Sequence, residues 1–307
     1  MTDNILKIGV IGFDTSHVPA FAKLLNDKTD SDYVAGAKVV AGFPSFSPDL
    51  ASSVDRVEGY TAEVKEKYGV EIVDSIPALL ERCDAVLLES VDGRRHLDEA
   101  TPVIKARKPL FIDKPLADNF SNAKAIAGLA QEYSVPLFSS SSLRFDANIS
   151  ALKSDAELGE ILACDAFGPA LLDPTNPGLF WYGIHGVEIL YTFMGAGCRS
   201  VRCTSSADYD LVVATWNDGR IATLRGTRKG AHDYGATVFG ANKVSHAVYS
   251  REVPMYSQLL KQVLPFLKGA PAPVAIEETL EIMAFMQSAL LSTEEQREVA
   301  LAEITGQ

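Results

Sequence analysis

Short apolar runs alternate with helical patterns through the first half of the chain. Residues 5–11 form such a run; it enters Gly12 and the polar Asp14-Thr15-Ser16, after which Val18, Phe21, Leu24 and Leu25 recur at the spacing of one helix face. That is strand, turn and helix. The rhythm repeats, predicting strands over 38–41, 71–73, 84–89, 109–112 and 135–139 and helices over 60–68, 76–82, 97–106 and 121–133. The run Ala85-Val86-Leu87-Leu88 is apolar without alternation, as in a strand covered on both faces. Strands alternating with helices through short links imply a parallel, doubly wound sheet.

After Ser139-Ser140-Ser141-Ser142 the pattern changes. Longer strands are predicted over 160–167, 200–205, 210–216, 220–227 and 235–240, with helices over 147–154, 186–194, 253–267 and 276–292. Asn217-Asp218-Gly219 between two of the strands is a hairpin turn signal, and consecutive hairpin-linked strands argue for an antiparallel sheet. At 307 residues the chain exceeds what one core usually serves, ~250 residues or somewhat more. The expectation is α/β: a doubly wound parallel-sheet domain over 1–142, and an α+β domain over 143–307 with a large, mainly antiparallel open sheet. The functional site is expected at the seam.

Composition narrows the partners. A net charge of −12 with no Lys/Arg cluster excludes nucleic acid and anionic membrane surfaces. No run reaches the ~18 apolar residues of a membrane span, and Met1–Lys7 has no basic flank leading into an apolar segment. The cysteines Cys83, Cys164, Cys198 and Cys203 form no ligand-spaced pair, so a reduced cytoplasmic location is the simplest expectation.

Gly12-Phe13-Asp14-Thr15-Ser16-His17 stands where a strand-to-helix turn would seat a pyrophosphate, yet only the first of three expected glycines is present. Asp14 would repel a phosphate unless turned away, whereas Thr15, Ser16 and His17 offer donors. An ordinary helix start explains the same residues. At the end of the second strand, Gly42-Phe43-Pro44-Ser45-Phe46-Ser47 holds no acid for an adenosine ribose; Ser45 and Ser47 are either ribose contacts or plain loop residues.

The order of Asp84-Ala85-Val86, His96, Asp113-Lys114-Pro115, Gly183-Ile184-His185, Met194-Gly195 and Thr237-Val238-Phe239-Gly240 resembles the Gfo/Idh/MocA family of glucose-fructose oxidoreductases and inositol dehydrogenases, nearly end to end. The resemblance implies a Rossmann domain binding NAD or NADP and a second domain whose sheet often pairs subunits into dimers or tetramers. It also implies hydride transfer to or from a sugar, cyclitol or related polyol. Lys114 matches the family's lysine at the substrate and nicotinamide ribose, and His185 its catalytic histidine. Asp113 replaces a glutamate, Trp181 stands where many members carry an aspartate, and Glu89-Ser90 where Thr-Pro is common.

Oxidation of a carbinol needs a group to take the hydroxyl proton and a cation to favour the developing alkoxide. His185 and Lys114 fit these roles, with the choice of base left open, and Tyr182 is a further candidate. The expected cofactor contacts are Gly9, Gly12, Phe13, Asp14, Thr15, Ser16, His17, Ser45, Ser90, Asp113 and Lys114; the expected substrate contacts are Lys114, Arg144, His185 and His232. His96 is expected to buttress its turn. Two alternatives stand beside hydride transfer: a tightly held cofactor cycling within an elimination or isomerisation, and a sugar-binding protein that has lost its dinucleotide. Asp14, His17, Glu89 and Asp113 all fall at strand carboxyl ends, and their ligand types suit a divalent ion. No tight spacing links them, so no metal is assigned.

Overall fold

The computed structural model describes residues 5–306; Met1–Asn4, part of the amino terminus read above, lie outside it. In chain order the first elements are β1 (Leu6–Ile11), α1 (His17–Asn26), β2 (Ala37–Phe43), α2 (Ala51–Tyr68), β3 (Glu71–Ile72), α3 (Ile76–Leu80), β4 (Ala85–Leu88), α4 (His96–Lys105), β5 (Leu110–Asp113), α5 (Phe120–Tyr133) and β6 (Leu137–Ser140). The strands form one sheet in the order β3-β2-β1-β4-β5-β6, and β2, β1, β4 and β5 run parallel. This is the doubly wound topology. Strands β4 and β5 are buried throughout, as unbroken apolar runs between two helix layers must be. Helix starts are written locally: Ser75 caps α3 and Asn119 caps α5, each side chain accepting a backbone N–H of the first turn.

The chain continues through α6 (Ala147–Lys153), β7 (Ile161–Pro169), α7 (Ile184–Met194), β8 (Cys198–Ser205), β9 (Tyr209–Trp216), β10 (Ile221–Thr227), β11 (Gly235–Gly240), β12 (Val244–Val248), α8 (Met255–Leu267), α9 (Ile276–Glu295), β13 (Val299–Ala300) and α10 (Leu301–Thr305). The second sheet has the order β12-β11-β7-β10-β9-β8-β13. Its pairings are antiparallel except β10 against β7. The hairpin joining β9 to β10 turns at Asn217-Asp218-Gly219, where Gly219 takes φ +89 and donates to the Trp216 carbonyl at 3.0 Å. Helix α7 is buried almost throughout against this sheet, and Tyr191 meets Phe285 of α9 edge-on at 5.7 Å.

The described residues cluster into two compact units, the first of which is not one continuous segment. Among the described residues, one compact unit comprises 5–139 and Tyr256–Ile276, the other Ser140–Met255 and 277–306. The chain returns with α8, whose broad apolar face, Leu259, Leu260, Val263, Leu264, Phe266 and Leu267, is buried: Phe266 packs on Phe138 at 5.5 Å and Tyr256 on Phe21 at 5.7 Å.

Candidate functional site

In the first unit the candidate residues lie on the loops that follow the strands. Gly12 has φ +85, and a Cβ there would lie 2.2 Å from the Ser90 backbone nitrogen. Only glycine lets the loop after β4 approach this turn so closely. Asp14 follows, fully buried, and its carboxylate points into the protein: Ser53 Oγ donates to Oδ2 at 2.6 Å and the Val91 amide to Oδ1 at 3.0 Å. Burial raises its pKa against these hydrogen bonds. The carboxylate is therefore withdrawn from any phosphate at the turn, leaving Ser16 as the exposed hydroxyl at the start of α1.

Several residues expected at the cofactor have other work. Gly9 lies within β1, where a Cβ would meet Cys83 Sγ at 2.8 Å and Leu79 at 3.0 Å, so it serves the packing of α3. Phe13 is wholly buried, its ring over Gly42. Thr15 Oγ1 accepts the His17 amide at 3.3 Å. Ser45 donates to Glu99 Oε1 and accepts from Arg95 Nε at 3.1 Å, while Ser90 donates to Glu99 Oε2 at 2.6 Å. Glu99 is the residue missed: in sequence it reads as one more charge on a helix face, yet it is buried and ties together the loops after β2 and β4. Asp92 does the same with Ser47, at 2.6 Å, and Arg94. His96 does buttress its turn, with Nε2 2.7 Å from the Ser90 carbonyl and Nδ1 2.9 Å from that of Pro115. Beside these loops a cavity of about 250 Å³ is lined by Ser47, Pro48, Asp49, Asp92, Arg94, Arg95 and Asp98.

Asp113 ends β5 and Lys114 follows it, largely buried, with Nζ 3.5 Å from Asp113 Oδ2. His17, the first residue of α1, brings Nδ1 to 3.1 Å from Asp113 Oδ2 and 3.4 Å from Glu89 Oε2. Its ring packs on Phe21 and Tyr256, centroids 5.6 and 4.7 Å away. Burial works against a charge on His17, but Asp113 and Glu89 outweigh it and carry its pKa up to about 9. Burial also pushes the Glu89 carboxyl up, opposed by His17. His17, Glu89, Asp113 and Lys114 thus form one polar cluster where β1, β4 and β5 end side by side.

In the second unit His185 sits in the first turn of α7, which a glycine brings close to the sheet: a Cβ on Gly186 would lie 2.6 Å from Leu224 of β10. His185 Nδ1 is 2.7 Å from Ser141 Oγ, and its ring lies between Tyr182 at 6.0 Å and Tyr234 at 5.5 Å. Ser141 and Tyr234 were not expected; the four-serine run and the loop before β11 gave no chemical pattern to single them out. Arg144 does not offer a free guanidinium. It is buried in ion pairs of 2.7 Å to Glu188 and 2.7 Å to Glu278, which keep it charged against burial. His232 is exposed on the loop after β10, with Nδ1 3.3 Å from Thr227 Oγ1.

The turn fits a dinucleotide in two respects: Gly12 keeps the left-handed close approach, and Asp14 is turned inward. Residues 6–141 match the family model described as an oxidoreductase family with an NAD-binding Rossmann fold. Over 296 residues the chain is 25% identical to myo-inositol 2-dehydrogenase of Thermotoga maritima, covering 80% of this chain and 88% of that protein. Among solved structures, scyllo-inositol dehydrogenase of Lactobacillus casei shares the fold with a TM-score of 0.78, at 17% identity, covering 98% of this chain and all of that one. GenD2 from gentamicin A biosynthesis, solved in complex with NAD, gives 0.75 at 17% identity and 96% of each chain.

Proposed function

We propose that this chain, whose residues 6–141 match the Gfo/Idh/MocA family model, is an NAD(P)-dependent oxidoreductase of that family whose substrate is a cyclitol or a closely related polyol. The observation that carries the reading is Lys114, largely buried beside Asp113 at the carboxyl end of β5, in a domain that matches an NAD-binding family. The similarity to a myo-inositol dehydrogenase supports the substrate class.

Gly12, Thr15 and Ser16 would hold the pyrophosphate at the start of α1, where helix dipole and hydroxyls favour an anion. When bound, the nicotinamide supplies the hydride acceptor. Lys114 supplies the fixed cation that stabilises the alkoxide forming on the substrate, and His185, oriented by Ser141, takes the hydroxyl proton. Tyr182 steadies the imidazole by its edge contact. Arg144 holds α7 through Glu188, so its part in the reaction is to position.

The chain is further proposed to self-associate through the second sheet. Its open face carries Tyr209, Val213, Ile221, Val244 and Val248, all between 36% and 59% exposed. Exposed apolar side chains grouped on one sheet face favour an interface.

Absorbance at 340 nm with NAD+ or NADP+ and a panel of inositols and sugars tests the reading. Turnover on an inositol is expected, with Lys114→Ala lowering kcat/KM by ~10³ or more while cofactor affinity changes little. Activity confined to non-polyol substrates, or retained in Lys114→Ala, would overturn it.

A further inference from the structure

We propose that His17 Nδ1, Glu89 and Asp113 hold a divalent transition-metal ion in the first unit, at the carboxyl ends of β1, β4 and β5. Three observations converge on this cluster. The candidate donor atoms lie within 4.8 Å of one another and all three residues are buried. Donors ~2.1 Å from one ion, at tetrahedral to octahedral angles, stand about 3.0–3.4 Å apart. The Nδ1 distances of 3.1 Å to Asp113 and 3.4 Å to Glu89 fall at those spacings.

The second observation is the state of Glu89. It is completely buried, and among the described residues no hydroxyl, amide or guanidinium donates to either of its oxygens; His17 Nδ1 stands 3.4 Å from its Oε2. Every other buried acid near these loops is satisfied: Asp14 by Ser53 and Val91, Asp92 by Ser47 and Arg94, Glu99 by Ser45, Ser90 and Arg95. A fold that hydrogen-bonds the carboxylates of Asp14, Asp92 and Glu99 sets this one against an imidazole and a second carboxylate. Desolvating a bare carboxylate is costly, and a bound cation offsets that cost.

The third observation is ligand type. One imidazole with two carboxylates suits manganese, iron, cobalt or zinc, and is less suited to calcium or magnesium, which prefer oxygen alone. Three protein ligands leave coordination positions for water or a substrate oxygen. Lys114, 3.5 Å from Asp113 Oδ2, stands at the rim of the cluster.

The test uses untagged, chelator-stripped, full-length protein titrated by calorimetry with CoCl2, MnCl2 and ZnCl2. One ion per chain is expected, with visible d–d absorption for cobalt, and Glu89→Gln, shown folded by circular dichroism, should bind at least ~100-fold more weakly. X-ray absorption of the zinc-loaded wild type needs no variant; it should give one imidazole and an oxygen shell at ~2.0–2.1 Å, without sulfur. Absence of stoichiometric binding for all three ions, undiminished binding by Glu89→Gln, or a zinc shell containing sulfur or several imidazoles would overturn the proposal.

Discussion

Replacing Asp14 with Ala separates two views of the first turn. If the carboxylate faced the cofactor, its removal would relieve repulsion and tighten dinucleotide binding. Here it is buried and accepts from Ser53 Oγ and the Val91 amide, so removal leaves a buried hydroxyl and a half-buried N–H without an acceptor. Each orphaned donor costs ~1–3 kcal/mol, the smaller figure applying to Val91, giving a loss of ~2–4 kcal/mol. Burial already disfavours the ionised side chain, so the hydrogen bonds exceed the net contribution of Asp14, and the lower half of that range is the expectation. Asp14→Asn keeps an acceptor oxygen and should lose less. Urea unfolding followed by circular dichroism gives the stability change, and calorimetry with NAD+ gives the affinity of the folded variant. A stability change under ~0.5 kcal/mol, or tighter NAD+ binding by Asp14→Ala, would refute the reasoning.

Two further outcomes follow from the packing. Arg144→Met leaves Glu188 and Glu278 without their shared cation in a buried site, and should cost ~3–5 kcal/mol in denaturant unfolding. A fragment ending at residue 142 should lack a cooperative thermal transition, because Tyr256–Ile276 completes its core; supplying that segment on a linker should restore the transition.

The elements that buried apolar runs define were legible in the sequence. Strands β1, β4 and β5 and the turn at Asn217-Asp218-Gly219 lie where period and turn chemistry put them. Elements with little apolar signal were not. Helix α2 begins at Ala51 rather than Tyr60, because its first turns are polar and mostly exposed. Strand β12 alternates exposed Val244, His246 and Val248 around a single buried alanine, and β13 is two residues long. The allegiance of α8 depends on which core its apolar face meets, which periodicity does not encode.

The candidate site divides in the same way. Lys114, His185 and Tyr182 were singled out by order along the chain. Their partners were not, because contacts such as Ser141 to His185 or Glu99 to Ser45 join residues far apart in sequence. The same holds for His17, Glu89 and Asp113: each was recognisable as a strand-end residue, but only the adjacency of β1, β4 and β5 makes them a cluster. The partners of hydroxyl groups were the least legible. Ser45 and Ser90, expected at the cofactor, both donate to the buried Glu99.

The central claim, hydride transfer from a cyclitol carbon, is tested most directly with inositol deuterated at its ring carbons and NAD+ or NADP+. Mass spectrometry of the reduced cofactor should find one deuterium on the nicotinamide ring, in step with ketone formation. Reduced cofactor without deuterium, or no reduced cofactor from any inositol while the folded protein binds the dinucleotide, would contradict it.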